Sequence, residues 1–111
     1  MRENHKMHIL ISNDDGIFAN GIRALAKACV AAGHRVTIFA PDAQRSAASH
    51  SMSIYARLTA TPVEYDGIPA YAVNGTPADC VRLGLYLCGE DRVDCVLSGI
   101  NNGSNRGAAI L

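Results

Sequence analysis

Residues Met7 to Ala40, MHILISNDDGIFANGIRALAKACVAAGHRVTIFA, decide the fold. Met7-His8-Ile9-Leu10-Ile11 is a short apolar run with the length and residue types of a buried strand. Ile22, Leu25, Ala26, Cys29 and Val30 then recur at the spacing of a helix with one buried face. Asn20 is the expected N-cap of that helix, and Gly33 its expected stop. Arg35 to Ala40 is β-branched and apolar, a second strand. Strand, helix and strand make a βαβ unit, with parallel strands and a right-handed crossover.

The first strand runs directly into Ser12-Asn13-Asp14-Asp15-Gly16. Adjacent carboxylates repel each other and are costly to withdraw from water without a partner. A bound cation relieves that cost. An ordinary solvated Asp-Asp-Gly turn is the alternative reading, and position at the end of a parallel strand favours the cation.

Downstream, Pro41-Asp42 ends the second strand, and the stretch to Ser53 has the small, polar composition of a loop. Ile54 to Tyr65 alternates loosely, and Asp66-Gly67 is a hairpin turn leading into Ile68 to Val73. These residues read as a small antiparallel excursion. Thr76-Pro77-Ala78-Asp79 opens a second helix: Thr76 suits the N-cap, Pro77 the first helical position, and Asp79 a shortened capping box. Val81, Leu85 and Cys88 lie along one face, Gly84 permits close packing on a sheet, and Gly89 stops the helix. Val93 to Ser98 is another buried strand, followed by the Gly/Asn-rich loop Gly99 to Asn105. The pattern is that of an α/β domain with a mainly parallel sheet and a small β-hairpin excursion. One such domain accounts for residues 1–111, with 1–6 a frayed extension.

Composition excludes several classes. The formal charge is zero and the 10 basic residues are scattered, which argues against a nucleic-acid polymer as partner. No apolar run approaches the roughly 18 to 20 residues that span a bilayer. The four cysteines form no C-x-x-C pair and sit in apolar segments, which points to small buried thiols in a reducing, cytoplasmic compartment. There is no G-x-G-x-x-G turn and no P-loop, and the adjacent Asp pair is not the spaced pair of aspartyl-phosphate phosphatases.

Ligands of open parallel sheets bind outside the carboxyl ends of the strands. Three polar loops leave such ends here: Ser12 to Gly16, Pro41 to Ser53, and Ser98 to Asn105. They bring carboxylates (Asp14, Asp15), hydroxyls (Ser46, Ser49, Ser51) and carboxamides (Asn13, Asn101, Asn102) to one edge. An all-oxygen set suits a hard divalent ion such as Mg²⁺ or Mn²⁺. Such an ion beside glycine-rich backbone N–H groups is an arrangement for phosphate-ester hydrolysis.

At these residues the sequence resembles the survival protein E (SurE) family of 5'/3'-nucleotidases. The resemblance rests on ILISNDDGIFANGIRALA, VTIFAPDAQRSAASHS, AYAVNGTPADCVRLGL and VDCVLSGINNGSNRG, four segments in the family's order over residues 9–107. It implies a Rossmann-like three-layer domain and a divalent-metal phosphatase of nucleoside monophosphates, active also on other phosphate esters and short polyphosphate. Carried over by position, Asp14, Asp15, Ser46 and Asn101 would hold one Mg²⁺ or Mn²⁺ per subunit. Asn13, Asn101 and Asn102 would face the phosphate. Asp14 and Asp15 would be the catalytic carboxylates, either orienting and deprotonating water or attacking phosphorus directly. His50 is either a hydrogen-bonding neighbour of the site or an ordinary loop histidine. The resemblance also implies a homodimer or homotetramer, with no membrane partner. Departures are Asn20, where the family usually has Pro, and Ala108-Ala109, where it often has acidic residues. Family members continue about as long again past the position of Leu111, so the chain reads as the N-terminal part of a longer domain. A non-catalytic nucleotide- or metal-binding module, or an inactive fragment, is the alternative.

Overall fold

The structure, a computed structural model, describes residues 6–43, 57–101 and 109–110. The elements are β1 (His8–Ser12), α1 (Asn20–Ala31), β2 (Arg35–Pro41), β3 (Ala60–Pro62), β4 (Ala70–Val73), α2 (Pro77–Cys88), β5 (Cys95–Ser98) and β6 (Ala109–Ile110), with a 3-10 turn at Glu90–Arg92 before β5. They form one sheet in the order β3-β4-β2-β1-β5-β6. The inner strands β4, β2, β1 and β5 are parallel, and the edge strands β3 and β6 pair antiparallel.

β1 is buried throughout, and its alternation decides the layers. Ile9 and Ile11 pack with Ile22, Ala26, Leu25 and Cys29 of α1. Leu10, pointing the other way, packs with Phe39 and with Cys80, Val81, Leu83 and Leu85 of α2. The result is the expected three-layer α/β arrangement. At its lower end, His8 holds three elements together. Its Nδ1 lies 2.8 Å from the Arg92 carbonyl and its Nε2 2.8 Å from Thr37 Oγ1. A carbonyl only accepts, so Nδ1 carries a proton, and in the neutral ring Nε2 then accepts from the Thr37 hydroxyl.

Several expectations are corrected. The N-cap of α1 is Ala19, without a side-chain cap bond, and Asn20 is the first helical residue. The entry into α1 is set by the preceding turn, where the Ala19 N–H donates to the Gly16 carbonyl at 3.1 Å, so cap preference is overridden. Val30 is 45% exposed. At about 100° per residue it stands about 80° from Ile22, at the margin of the stripe. The antiparallel excursion is present, with β3 paired antiparallel to β4; β4 also lies parallel to β2, with Ile38 opposite Ala70, and so extends the main sheet. The hairpin turn is as read, since Asp66 (φ 55°) and Gly67 (φ 82°) adopt the two positive angles of a type I′ turn. β5 starts at Cys95 rather than Val93, because Asp94 is engaged beside the sheet: its N–H meets the His8 carbonyl and its carboxylate the His8 N–H, each at 2.8 Å.

The second helix begins as its sequence dictates. Thr76 caps the Asp79 N–H at 3.2 Å, and the Asp79 carboxylate accepts from the Thr76 N–H at 3.0 Å. Gly84 is what lets α2 lie close: a Cβ there would stand 2.9 Å from Phe39 Cδ1, and the Phe39 ring stacks on Tyr71 at 4.7 Å. No disulfide joins the cysteines, of which Cys80 is buried. The frayed extension expected over residues 1–6 lies, but for Lys6, outside the described residues.

Burial alone would raise the Asp79 carboxyl, but the Thr76 hydrogen bonds and the Arg82 cation outweigh it and hold the group below its ordinary value. The capping box therefore stabilises the fold fully above the unfolded carboxyl pKa of about 3.9 and is lost as pH falls through the lower folded value. Thr76→Ala is expected to cost about 1 kcal/mol at pH 7 by urea denaturation. Asp79→Asn should flatten the decline in stability below about pH 4; an unaltered acid limb would show that the box is not its source.

Candidate functional site

The parallel strands run outward from β1 to β2 to β4, and the chain then returns to place β5 on the other side of β1. That reversal opens a crevice beyond the carboxyl ends of β1 and β5. Ser12 and Ser98 are abreast in the ladder, and the Gly99 N–H still bonds the Ser12 carbonyl at 3.0 Å. Past this point the two loops diverge.

The β1 loop is built around Asn13, which is fully buried. Its carboxamide closes on a single residue: Nδ2 donates to the Gly16 carbonyl at 2.9 Å, and Oδ1 accepts from the Gly16 N–H at 3.2 Å. Gly16 has φ 105°, a conformation that favours glycine. Asp14 and Asp15 are thereby held on a short loop, Asp14 exposed and Asp15 half-buried. Ile17, buried, is pinned from two sides. Its N–H donates to the Pro41 carbonyl at 2.8 Å, and its carbonyl accepts from the Tyr65 hydroxyl at 2.9 Å. Burial pushes the Tyr65 phenol up, the Arg23 cation 4.4 Å over its ring lowers it, and Asp66 raises it again. The net rise keeps the hydroxyl a donor.

Asp15, Phe18, Ala19, Asn20, Gly21, Ile100 and Asn101 line one open cavity of about 410 Å³. The first turn of α1, which has no side-chain cap, thus borders the same space as a carboxylate and a carboxamide. Helix N-termini favour anions. Two buried oxygens, Asn101 Oδ1 and Ser12 Oγ, have no hydrogen-bond partner among the described residues. An unpaired buried acceptor costs about 1–3 kcal/mol, and a hard cation is one group that would relieve it. No cluster of three or more His, Cys, Asp or Glu side chains able to hold a metal occurs among the described residues. The donor set that fits an ion is therefore mixed carboxylate, carboxamide and hydroxyl oxygen.

Of the residues the sequence singled out, the structure brings Asp15 and Asn101 to one cavity, with Asp14 on the same loop. Asn13, expected to face phosphate, has its carboxamide engaged with Gly16 and holds the loop instead. Ser46, His50 and Asn102 lie outside the described residues. Ser12, Phe18 and Ile100 escaped the sequence reading. A hydroxyl closing the apolar run Ile9-Leu10-Ile11 was the available signal for Ser12, and the side-by-side Ile17-Phe18 pair, of which a turn can bury only one, the signal for Phe18.

The family model described as Survival protein SurE matches residues 9–111. The 5'-nucleotidase SurE of Synechococcus sp. (strain WH7803) is 50% identical over 108 residues, 95% of this chain and 40% of that protein. That of Gloeobacter violaceus (strain ATCC 29082 / PCC 7421) is 49% identical over 95% of this chain and 41% of its own length. The crystal structure of the SurE protein from Aquifex aeolicus superposes with a TM-score of 0.73 at 42% identity, covering 88% of this chain and 39% of that one. The chain thus spans about 40% of the length of these curated relatives.

Gly21 joins the two halves of the crevice, because a Cβ there would collide with the Ile100 carbonyl. Gly21→Ala should therefore destabilise the protein by about 1–3 kcal/mol, although alanine is the better helix former. Urea denaturation reads the sign; a gain in stability would show that the Ile100 segment can retreat.

Proposed function

From the premise that this chain belongs to the SurE family, we propose that the protein at full length is a divalent-metal-dependent 5'-nucleotidase. The observation that carries this is the meeting of Asp15 and Asn101 in one cavity at the sheet's point of reversal, with Asn101 Oδ1 unpaired among the described residues. Asp14, Asp15, Ser46 and Asn101 would hold a single Mg²⁺ or Mn²⁺. When bound, that ion polarises the phosphoryl oxygens and acidifies water.

The chain's own groups do the rest. Asn13 fixes the loop so that the two carboxylates keep their places. One carboxylate of the pair orients the attacking water and accepts its proton. The uncapped N-terminal turn of α1 draws the phosphate by its positive end, and Asn101 and Asn102 contribute amide donors. Hydrolysis of 3'-monophosphates, other phosphate esters and short polyphosphate belongs to the same proposal, as do a cytoplasmic location and a homodimeric or homotetrameric state. No helix among the described residues is long and apolar enough to cross a membrane.

The full-length protein should release phosphate from a nucleoside monophosphate with Mn²⁺ or Mg²⁺, and chelation should abolish the release. Asp15→Asn is expected to lower kcat by ~100-fold or more. An unchanged rate in that variant would remove Asp15 from the mechanism. Nucleotide binding without turnover across a divalent-metal panel would make the protein a non-catalytic binding module.

A further inference from the structure

Phe18 is 63% exposed, yet it belongs to a stiff segment. The residue before it is buried and hydrogen-bonded through both its N–H and its carbonyl, to Pro41 and Tyr65. The residue after it donates its N–H to the Gly16 carbonyl at 3.1 Å. Ile17 supplies the core contact of this turn, so Phe18 is left standing in the wall of the cavity that Asp15 and Asn101 also line. Ile100, 37% exposed, adds a second apolar wall to the same cavity. At about 410 Å³ the space falls within the range of roughly 300–1,000 Å³ found for small-molecule clefts.

The lining of this cavity combines hard oxygen donors with an aromatic and an aliphatic side chain. A phosphate alone would use only the oxygen donors. We propose that Phe18 is the base-stacking residue of the site and that, with Ile100, it makes the site select phosphate esters bearing a planar aromatic group over small aliphatic ones. The inference rests on the phosphatase reading above and adds the specificity determinant to it. Stacking on a side chain whose backbone is already fixed forfeits little conformational freedom, so the gain is retained as affinity.

The test uses the full-length protein and two substrates, adenosine 5'-monophosphate and glycerol phosphate. Phe18→Ala is expected to lower the ratio of kcat/KM for the nucleotide to that for glycerol phosphate about tenfold, through KM for the nucleotide. Phe18→Trp should restore the ratio and Phe18→Leu, which keeps apolar bulk without an aromatic face, should not. Phe18 fills no core space, so thermal denaturation should give similar midpoints for all three variants. A ratio unmoved by Phe18→Ala, or fully restored by leucine, overturns the inference. Should the wild-type protein hydrolyse neither ester, the phosphatase reading fails by itself. Calorimetric titration with the nucleotide then decides the stacking: about tenfold weaker binding in Phe18→Ala, recovered by tryptophan only, sustains it, and equal binding or none overturns it.

Discussion

β1 is paired on both edges and packed on both faces, and the rest of the molecule follows from that confinement. A strand so enclosed has no water within reach along its length, so polar groups can emerge only where it ends. It ends at Ser12, between two neighbours that leave the sheet in different directions. The crevice is therefore a geometric consequence of reversing the strand order around a buried strand. Polar residues placed there sit in a half-enclosed space where interactions with an ion or phosphate are stronger than in open water.

Turning the chain out of that strand needs internal hydrogen bonds, because Asn13 and Gly16 at the two ends of the turn are buried. Asn13 supplies them by bonding both the N–H and the carbonyl of Gly16. Hydrogen bonds of this kind each contribute about 0.5–1.5 kcal/mol net, and leaving the groups unpaired would cost more. The hairpin provides the outer brace. Tyr65 reaches the loop at Ile17, while Asp66 pairs with Arg23 at 2.5 Å and Lys27 at 3.5 Å on α1. The ion pairs are half exposed and contribute little energy. Their value is geometric, since they fix where the turn that carries Tyr65 lies. A strand pair that looked peripheral thus helps set the position of Asp15 and Phe18.

The elements were legible wherever a local rule was strong. The Thr76-Pro77-Ala78-Asp79 start, the Asp66-Gly67 turn and the close approach at Gly84 each have a reason contained within a few residues. Errors fell where neighbours in space outvoted local preference. Asn20 is a good cap by type, yet the turn before it makes Ala19 the cap. Val30 fits the helical spacing but stands at the margin of the stripe. The antiparallel pairing of the hairpin was legible, but nothing in its own residues says that β4 will lie along β2.

By itself the sequence determined a parallel α/β sheet with Asp14 and Asp15 at the end of its first strand, since period, caps and turns act over short distances along the chain. Which polar groups remain available was decided by the tertiary structure. Asn13 and Asn101 are the same residue type, each beyond the carboxyl end of a parallel strand, β1 buried and β5 half-buried. Asn13 folds back on Gly16 and spends its carboxamide there. Asn101 lies beyond Gly99-Ile100, across from α1, and its Oδ1 has no partner among the described residues. The difference is one of surroundings: a carboxamide within reach of a backbone turn satisfies itself there, whereas Asn101, at the rim of a cavity, has no such turn among the described residues.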